Sequence, residues 1–176
     1  YCCGLRPVEA RRLRVGDVDL DKGRLDIIES KQHRSRIVMM ADDVVEMLSD
    51  CNVVISAVMP EREPFFPNSE GGFYGKRGLE KTFRQTLVKA GVTGTGRRSP
   101  RLYDFRHTFA THRLYHWMRE GRDLKTMLPY LSAYMGHAQL SDTYYYIHLV
   151  PGLMEEMSGF AFSSAEALLP EVGIDE

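Results

Sequence analysis

Strand-forming sequence is confined to one short stretch of this 176-residue chain, which limits the folds open to it. Residues 24–30 (R-L-D-I-I-E-S) and 36–40 (R-I-V-M-M) are rich in apolar and β-branched side chains, and polar residues separate them. The pattern predicts one β-hairpin with Lys31 at its turn. Helix signals dominate the remainder, so we expect an α+β fold, mainly helical, with a small antiparallel sheet near the N-terminus.

Proline, glycine and capping residues divide the remainder into helices and loops. In chain order, the expected helices start at Pro7 and cover residues 42–58, 75–89, 99–119, 124–134, 141–148 and 152–160. The fourth would start at Ser99 and Pro100, an N-cap followed by a first-turn proline, and carry Phe105 and Phe109 on its apolar face. Residues 60–74 hold three prolines and two glycines and are expected to form a loop.

Length and cysteine use narrow the class of protein. The length suits one domain, which we expect at residues 1–163, followed by an acidic tail at 164–176. Three cysteines, two of them adjacent, do not form a secreted disulfide framework and favour a cytoplasmic location. The sequence has no apolar run of the roughly 18 residues that span a bilayer and no metal-ligand spacing. Because the chain begins at Tyr1 within an apparent element, we expect an N-terminal partner domain.

The formal net charge of −1 hides a segregation along the chain. Residues 1–73 carry 10 basic and 13 acidic side chains, residues 74–125 carry 13 and 4, and residues 126–176 carry none and 7. The middle segment therefore has a net charge of +9, enough to attract a polyanion. A solvated basic helical face is the alternative explanation.

Three motifs place phosphate-binding side chains near a tyrosine cluster. They are G-L-R-P-V-E at residues 4–9, Y-D-F-R-H at 103–107, and M-G-H at 135–137 followed by T-Y-Y-Y at 143–146. The motifs resemble the G-L-R-x-x-E, H-x-L-R-H-T-F-A-T and L-G-H boxes of the tyrosine recombinases, the phage-integrase family. In that family the nucleophilic tyrosine lies nine residues after the L-G-H histidine, which gives Tyr146, and Thr143 also matches.

The resemblance implies the catalytic domain of a site-specific recombinase or integrase, of the kind carried by mobile elements, that cuts DNA through a 3′-phosphotyrosine intermediate. It implies double-stranded DNA as partner, a homotetramer on paired sites, a C-terminal helix exchanged after Pro151, and no metal ion, ATP or other cofactor. The catalytic residues that it assigns are Arg6, Lys31, Tyr103, Arg106, His137 and the nucleophile Tyr146. From the basic segment we expect DNA contacts by Lys76, Lys81, Arg84, Arg97, Arg98 and Arg101.

The chemistry accounts for these residue types. Attack of a tyrosine oxygen on phosphorus builds negative charge on the non-bridging oxygens, and fixed cations stabilise it. The planar guanidinium groups of Arg6 and Arg106 donate paired hydrogen bonds and stay charged. His137 can donate another hydrogen bond, and Lys31 can protonate the leaving 5′-oxygen.

Each assignment has an alternative. Tyr103 stands where the family has histidine, and a phenol with a pKa near 10 is a poor proton shuttle at neutral pH. A non-catalytic DNA-binding module and a type IB topoisomerase-like enzyme therefore remain alternatives. A one-residue slip would nominate Tyr145 as nucleophile. Arg6 could merely pair with Glu9, Arg106 could pair with Asp104 or another acid, and Lys31 could be an ordinary exposed hairpin lysine.

Overall fold

The computed structural model describes residues 1–28, 35–92 and 99–150, and the chain divides into two units at residues 109 and 110. The first unit contains, in chain order, α1 (Pro7–Arg12), a 3-10 turn (Val15–Asp17), β1 (Val18–Asp19), β2 (Arg24–Ile27), β3 (Arg36–Met39), α2 (Asp42–Val58) and α3 (Lys76–Lys89). The boundary falls within α4 (Asp104–Arg119), after which come α5 (Leu124–Met135), α6 (Ser141–Tyr144) and a second 3-10 turn (Ile147–Leu149). The expected mainly helical α+β class is confirmed.

The sheet is antiparallel with strand order β1-β2-β3. Leu25 of β2 lies opposite Val18 on one side and Val38 on the other. Leu25 and Val38 are buried while Ile37 and Met39 are exposed, the alternation of a sheet with one face on a core. The predicted hairpin strands are thus confirmed at β2 and β3. Its turn, with Lys31, lies outside the described residues, and β1 is too short to give a strand pattern.

Helix α2 covers the predicted span, with Asp42 and Asp43 in its first turn and Val44 and Leu48 buried. The expected loop at residues 60–74 is confirmed, because it holds only turns and isolated β-bridges. It contributes Phe65, which is 1% exposed, to the core. The predicted helix at residues 152–160 lies outside the described residues.

The predicted start of α4 is wrong: the helix begins at Asp104, not at Ser99. The Arg101 N–H donates to the Asp104 carboxylate at 2.7 Å, and the Asp104 N–H donates to the Arg101 carbonyl at 3.0 Å. These two bonds close a turn over residues 101–104, so the backbone becomes helical only after it. Phe109 is buried as expected, whereas Phe105 is 42% exposed and packs edge-on against Phe83.

Gly4 joins the first motif to α4. Its φ of +57° is in the left-handed region, and a Cβ there would lie 2.5 Å from the Phe109 ring. Its carbonyl accepts a hydrogen bond of 2.7 Å from the Arg106 guanidinium. The glycine of the first motif thus allows its loop to approach the helix that carries the second motif.

We expect Gly4→Ala to lower the free energy of unfolding by about 2–4 kcal/mol, because the new methyl group meets a ring and the backbone is strained. Urea titration measures the loss. Gly16→Ala is the matched control, since a Cβ at Gly16 meets nothing within 4 Å and its φ is not positive. Equal stability of the two variants would contradict the close packing described for Gly4.

In the second unit, α5 is bounded by two local signals. The Asp123 carboxylate caps its start by accepting the Lys125 N–H, and Gly136 ends it with a φ of +68°. The Gly136 N–H donates to Ala133 and the His137 N–H to Ser132, the bond pattern of a Schellman motif. Its apolar face buries Leu124, Leu128, Leu131 and Met135.

The helix predicted at residues 141–148 is shorter than expected, because α6 ends at Tyr144 and a 3-10 turn follows at Ile147–Leu149. Across the described ranges, none of the helices has the length and apolar character needed to cross a membrane.

Candidate functional site

A cleft of about 780 Å³ lies within the first unit, between α1, α3 and the segment that leads into α4. Among the described residues that line it, five are basic and one, Glu80, is acidic. The basic ones are Arg6, Arg11, Lys76, Arg84 and Arg101. Val8, Leu79 and Phe83 add apolar surface. The excess of cations makes the cleft suited to an anionic ligand.

Three of the six side chains predicted to contact DNA, Lys76, Arg84 and Arg101, line this cleft. Lys81 is exposed on α3 and does not line it. Arg97 and Arg98 lie outside the described residues. The +9 net charge of the middle segment is therefore concentrated in part on one concave surface.

Sequence reasoning missed Arg11, which lines the cleft and donates a hydrogen bond of 3.2 Å to the Tyr74 carbonyl. Its position could have been found from helical spacing. Arg11 follows Pro7 by four residues and Val8 by three, and both of these line the cleft.

Arg6 is held at the edge of the cleft by Glu9. The carboxylate of Glu9 accepts the Arg6 guanidinium at 2.7 Å and the Arg6 backbone N–H at 2.8 Å. Arg36 of β3 approaches from the hairpin and donates to both Glu9 oxygens at 2.8 Å. The ion pair considered for Arg6 is thus present, in a geometry that leaves Arg6 lining the cleft. The buried carboxylate fixes the arginine in position.

Glu9 is 8% exposed, and its charge depends on these partners. Burial raises the pKa of Glu9, but hydrogen bonds from the Arg36 side chain and the Arg6 backbone outweigh burial and lower the pKa from 4.5 to about 2. A carboxyl group whose pKa is lower in the folded protein than in the unfolded chain stabilises the fold at pH values above its unfolded pKa. This contribution is lost as the pH falls from about 4.5 to about 2.

Glu9→Gln is therefore expected to remove part of the acid sensitivity of folding. The lowered pKa corresponds to about 3 kcal/mol, present at pH 6 and lost towards pH 2. Urea titrations at intervals between pH 6 and pH 3 measure the part lost over that range, about 2 kcal/mol. The wild-type free energy of unfolding should fall more steeply than that of Glu9→Gln, and Glu63→Gln, at an exposed ion pair, should behave as wild type. Parallel curves for wild type and Glu9→Gln would contradict this account.

Arg106 is 1% exposed and is not among the side chains that line the cleft. Arg106 donates a hydrogen bond to the carbonyl of Gly4, which precedes Arg6 by two residues. Both arginines are therefore associated with the same loop. The expected alternative partner, Asp104, pairs instead with Arg101 at 3.1 Å. The hydrogen bond from Arg106 to Gly4 holds the second motif against the loop that presents Arg6.

Tyr103 and His107 both line the cleft, one helical turn apart, with ring centroids 5.0 Å from each other. Tyr103 is 42% exposed. Burial lowers the pKa of His107 and so favours the neutral imidazole, although the charge of Asp104 acts in the opposite direction. The structure therefore places His107, the last residue of the second motif, on the cleft wall.

The second unit holds the other motif residues. The Schellman motif at Gly136 directs the chain so that His137 Nδ1 lies 2.7 Å from the Thr143 hydroxyl. The imidazole stacks on the Tyr146 ring, with centroids 6.0 Å apart and an interplanar angle of 13°. Tyr146 is 3% exposed and Tyr145 is 40% exposed. The structure therefore brings His137, Thr143 and Tyr146 into one cluster.

Residues 1–28, 35–92 and 99–150 contain no group of three or more His, Cys, Asp or Glu side chains arranged to hold a metal ion.

These features agree with a comparison with known proteins. The phage integrase family model matches residues 1–151, and the chain belongs to this family. It is 31% identical over 159 residues to the tyrosine recombinase XerC of Chlamydia trachomatis, covering 89% of this chain and 46% of XerC. The chain spans about half the length of the curated relatives that it matches.

Solved structures share the fold. The crystal structure of XerA recombinase has a TM-score of 0.69 and 25% identity, over 92% of this chain and 52% of XerA. XerH site-specific recombinase, bound to a palindromic difH substrate in a post-cleavage complex, has a TM-score of 0.64 and 22% identity, over 90% of this chain and 42% of XerH.

Proposed function

We propose that this chain is the catalytic domain of a site-specific tyrosine recombinase, which cuts and rejoins double-stranded DNA through a 3′-phosphotyrosine intermediate. The observation that carries the proposal is the basic cleft with Arg6 held on its wall by Glu9. Membership of the phage integrase family and the DNA-bound state of the related fold in XerH support DNA as the ligand. Residues 1–163 would form the domain, with 164–176 as its acidic tail.

The cleft would receive the DNA backbone. Lys76, Arg84 and Arg101 would contact phosphates beside the reacting one, which gives affinity without reading sequence. Lys81, Arg97 and Arg98 would extend this contact. Because every neutralised phosphate releases counterions, binding should weaken steeply with salt.

At the reacting phosphate, Arg6 and Arg106 would supply guanidinium N–H donors to the non-bridging oxygens as negative charge develops. His137 would donate to the same oxygens, and Tyr103 would donate its phenolic hydrogen where the family has an imidazole. Burial of Arg106 and the pairing of Arg6 with Glu9 keep the groups ordered before the substrate arrives, which reduces the reorganisation needed in the transition state.

The Tyr146 oxygen would attack phosphorus and release its proton to solvent water, forming the tyrosine–phosphate bond as the bond to the 5′-oxygen breaks. Lys31 would give a proton to that oxygen, leaving a free 5′-hydroxyl. Attack by a 5′-hydroxyl then reverses the step and releases Tyr146, so rejoining needs neither ATP nor a metal ion. The stack on His137 supports Tyr146 over Tyr145 as the nucleophile.

The whole protein would carry a further DNA-binding domain and act as a homotetramer on paired sites. We place it in the cytoplasm, which suits its three free cysteines, Cys2, Cys3 and Cys51.

A nicked suicide duplex tests the proposal. The nick releases a short strand after cleavage, so the covalent intermediate accumulates instead of religating. We expect a protein–DNA band that survives denaturing electrophoresis and forms in the presence of a chelator and without ATP. Duplexes from several candidate target sites should be compared. Salt-sensitive DNA binding with no covalent band on any duplex would overturn catalysis in favour of a DNA-binding module.

A further inference from the structure

We propose that Thr143 is a positioning residue that fixes the tautomer of His137, with the proton on Nε2. This inference rests on the proposed function for its catalytic consequence, but the tautomer itself can be measured without DNA. The inference is based on the distance of 2.7 Å between the Thr143 hydroxyl and His137 Nδ1. Thr143 is fully buried at this contact.

The direction of this hydrogen bond follows from what each group can donate. A neutral imidazole has one N–H, and a threonine hydroxyl has one hydrogen that must find an acceptor when it is buried. Within the described part of the chain, His137 Nδ1 is the only hydrogen-bond partner of the Thr143 hydroxyl. If Nδ1 carried the proton, the Thr143 hydrogen would be buried without an acceptor, at a cost of about 1–3 kcal/mol. The hydroxyl therefore donates to Nδ1.

A proton on Nε2 turns the other edge of the ring into a donor, the form that a phosphate oxygen requires. Contacts within the described part of the chain hold the orientation of the ring. The backbone N–H of His137 is bonded to Ser132, Nδ1 to Thr143, and the ring face is stacked on Tyr146. Thr143 thus acts through His137 and need not touch DNA.

The local fold explains how this pair forms. Gly136 ends α5 in the left-handed conformation, and the chain turns into α6, which begins at Ser141. The Thr143 N–H donates to the Leu140 carbonyl in the first turn of α6, and the Thr143 side chain is buried. His137 and Thr143 are six residues apart because the segment between them leads from the end of α5 into α6.

Nitrogen-15 NMR of histidine-labelled protein tests the tautomer. We expect His137 to show a pyridine-type Nδ1 and a pyrrole-type Nε2 near pH 7.5, and Thr143→Val to change both shifts towards those of a tautomer mixture. Thr143→Ser, which keeps the hydroxyl, should retain the wild-type shifts. A pyrrole-type Nδ1 in wild type would overturn the assignment, and so would unchanged His137 shifts in Thr143→Val.

Cleavage of the suicide duplex tests the consequence. Thr143→Val should slow formation of the covalent adduct by at least about tenfold, and Thr143→Ser should restore it to within about threefold of wild type. Thr86→Val, at an exposed helical threonine whose hydroxyl bonds to its own helix, is the matched control. Wild-type rates in folded Thr143→Val would overturn the positioning role. Absence of any adduct in wild type would instead overturn the proposed function and leave the NMR result standing.

Discussion

Tyr146→Phe is expected to remove the covalent protein–DNA adduct completely. The substitution deletes one oxygen and keeps the ring, so the stack on His137 and the buried packing of the side chain are preserved. Without the hydroxyl there is no nucleophile to form the bond to phosphorus. Denaturing gels of the nicked suicide duplex should show no adduct at any time, while native gels show DNA binding equal to that of wild type.

Tyr145→Phe is the matched control for this prediction. Tyr145 is the neighbouring tyrosine, its ring contacts Tyr146 edge-on with centroids 5.8 Å apart, and it is the nucleophile in the alternative register. We expect the adduct to form in this variant at nearly the wild-type rate. The reverse pattern, loss in Tyr145→Phe and retention in Tyr146→Phe, would show that the register is wrong by one residue.

Arg6→Ala is expected to lower the rate of strand cleavage by about 10²–10³, the typical loss when one donor to a developing oxyanion is removed. Arg6 lines the cleft, whereas its partner Glu9 keeps both hydrogen bonds from Arg36 after the substitution. The loss should therefore appear in the rate of adduct formation at saturating DNA, with little change in the melting temperature.

Arg6→Lys separates charge from geometry, because lysine keeps the charge and lacks the planar pair of donors. Its rate should lie between those of wild type and Arg6→Ala. Arg14→Ala controls for loss of one positive charge, since Arg14 makes an exposed ion pair with Glu63. A rate for Arg6→Ala within about threefold of wild type would contradict the role given to this cleft.

Much of the fold could be predicted because its signals are local. The strands of the hairpin, α2 with Asp42 and Asp43 at its start, and α5 ending near Gly136 follow from β-branched runs and capping residues. The start of α4 could not be predicted in this way. The interaction between Arg101 and Asp104, which delays the helix, competes with an equally plausible cap at Ser99. Propensity alone does not decide between two adjacent capping signals.

The site was predictable in its residue types and less so in its contacts. Motif spacing selects Arg6, His137 and Tyr146, but the bidentate contact of Arg36 with Glu9 joins residues 27 apart in sequence and depends on the hairpin packing against α1. In the same way, the hydrogen bond from Arg106 to Gly4 spans 102 residues. Such contacts arise from tertiary packing, which no local pattern encodes.

The most direct test of the central claim is to identify the residue bonded to DNA. The adduct formed on a nicked suicide duplex is digested with nuclease and protease, and the nucleotide-bearing peptide is sequenced by mass spectrometry. We predict a 3′-nucleotide phosphate on the hydroxyl oxygen of Tyr146. Attachment at Tyr145 or at any other residue would contradict the account.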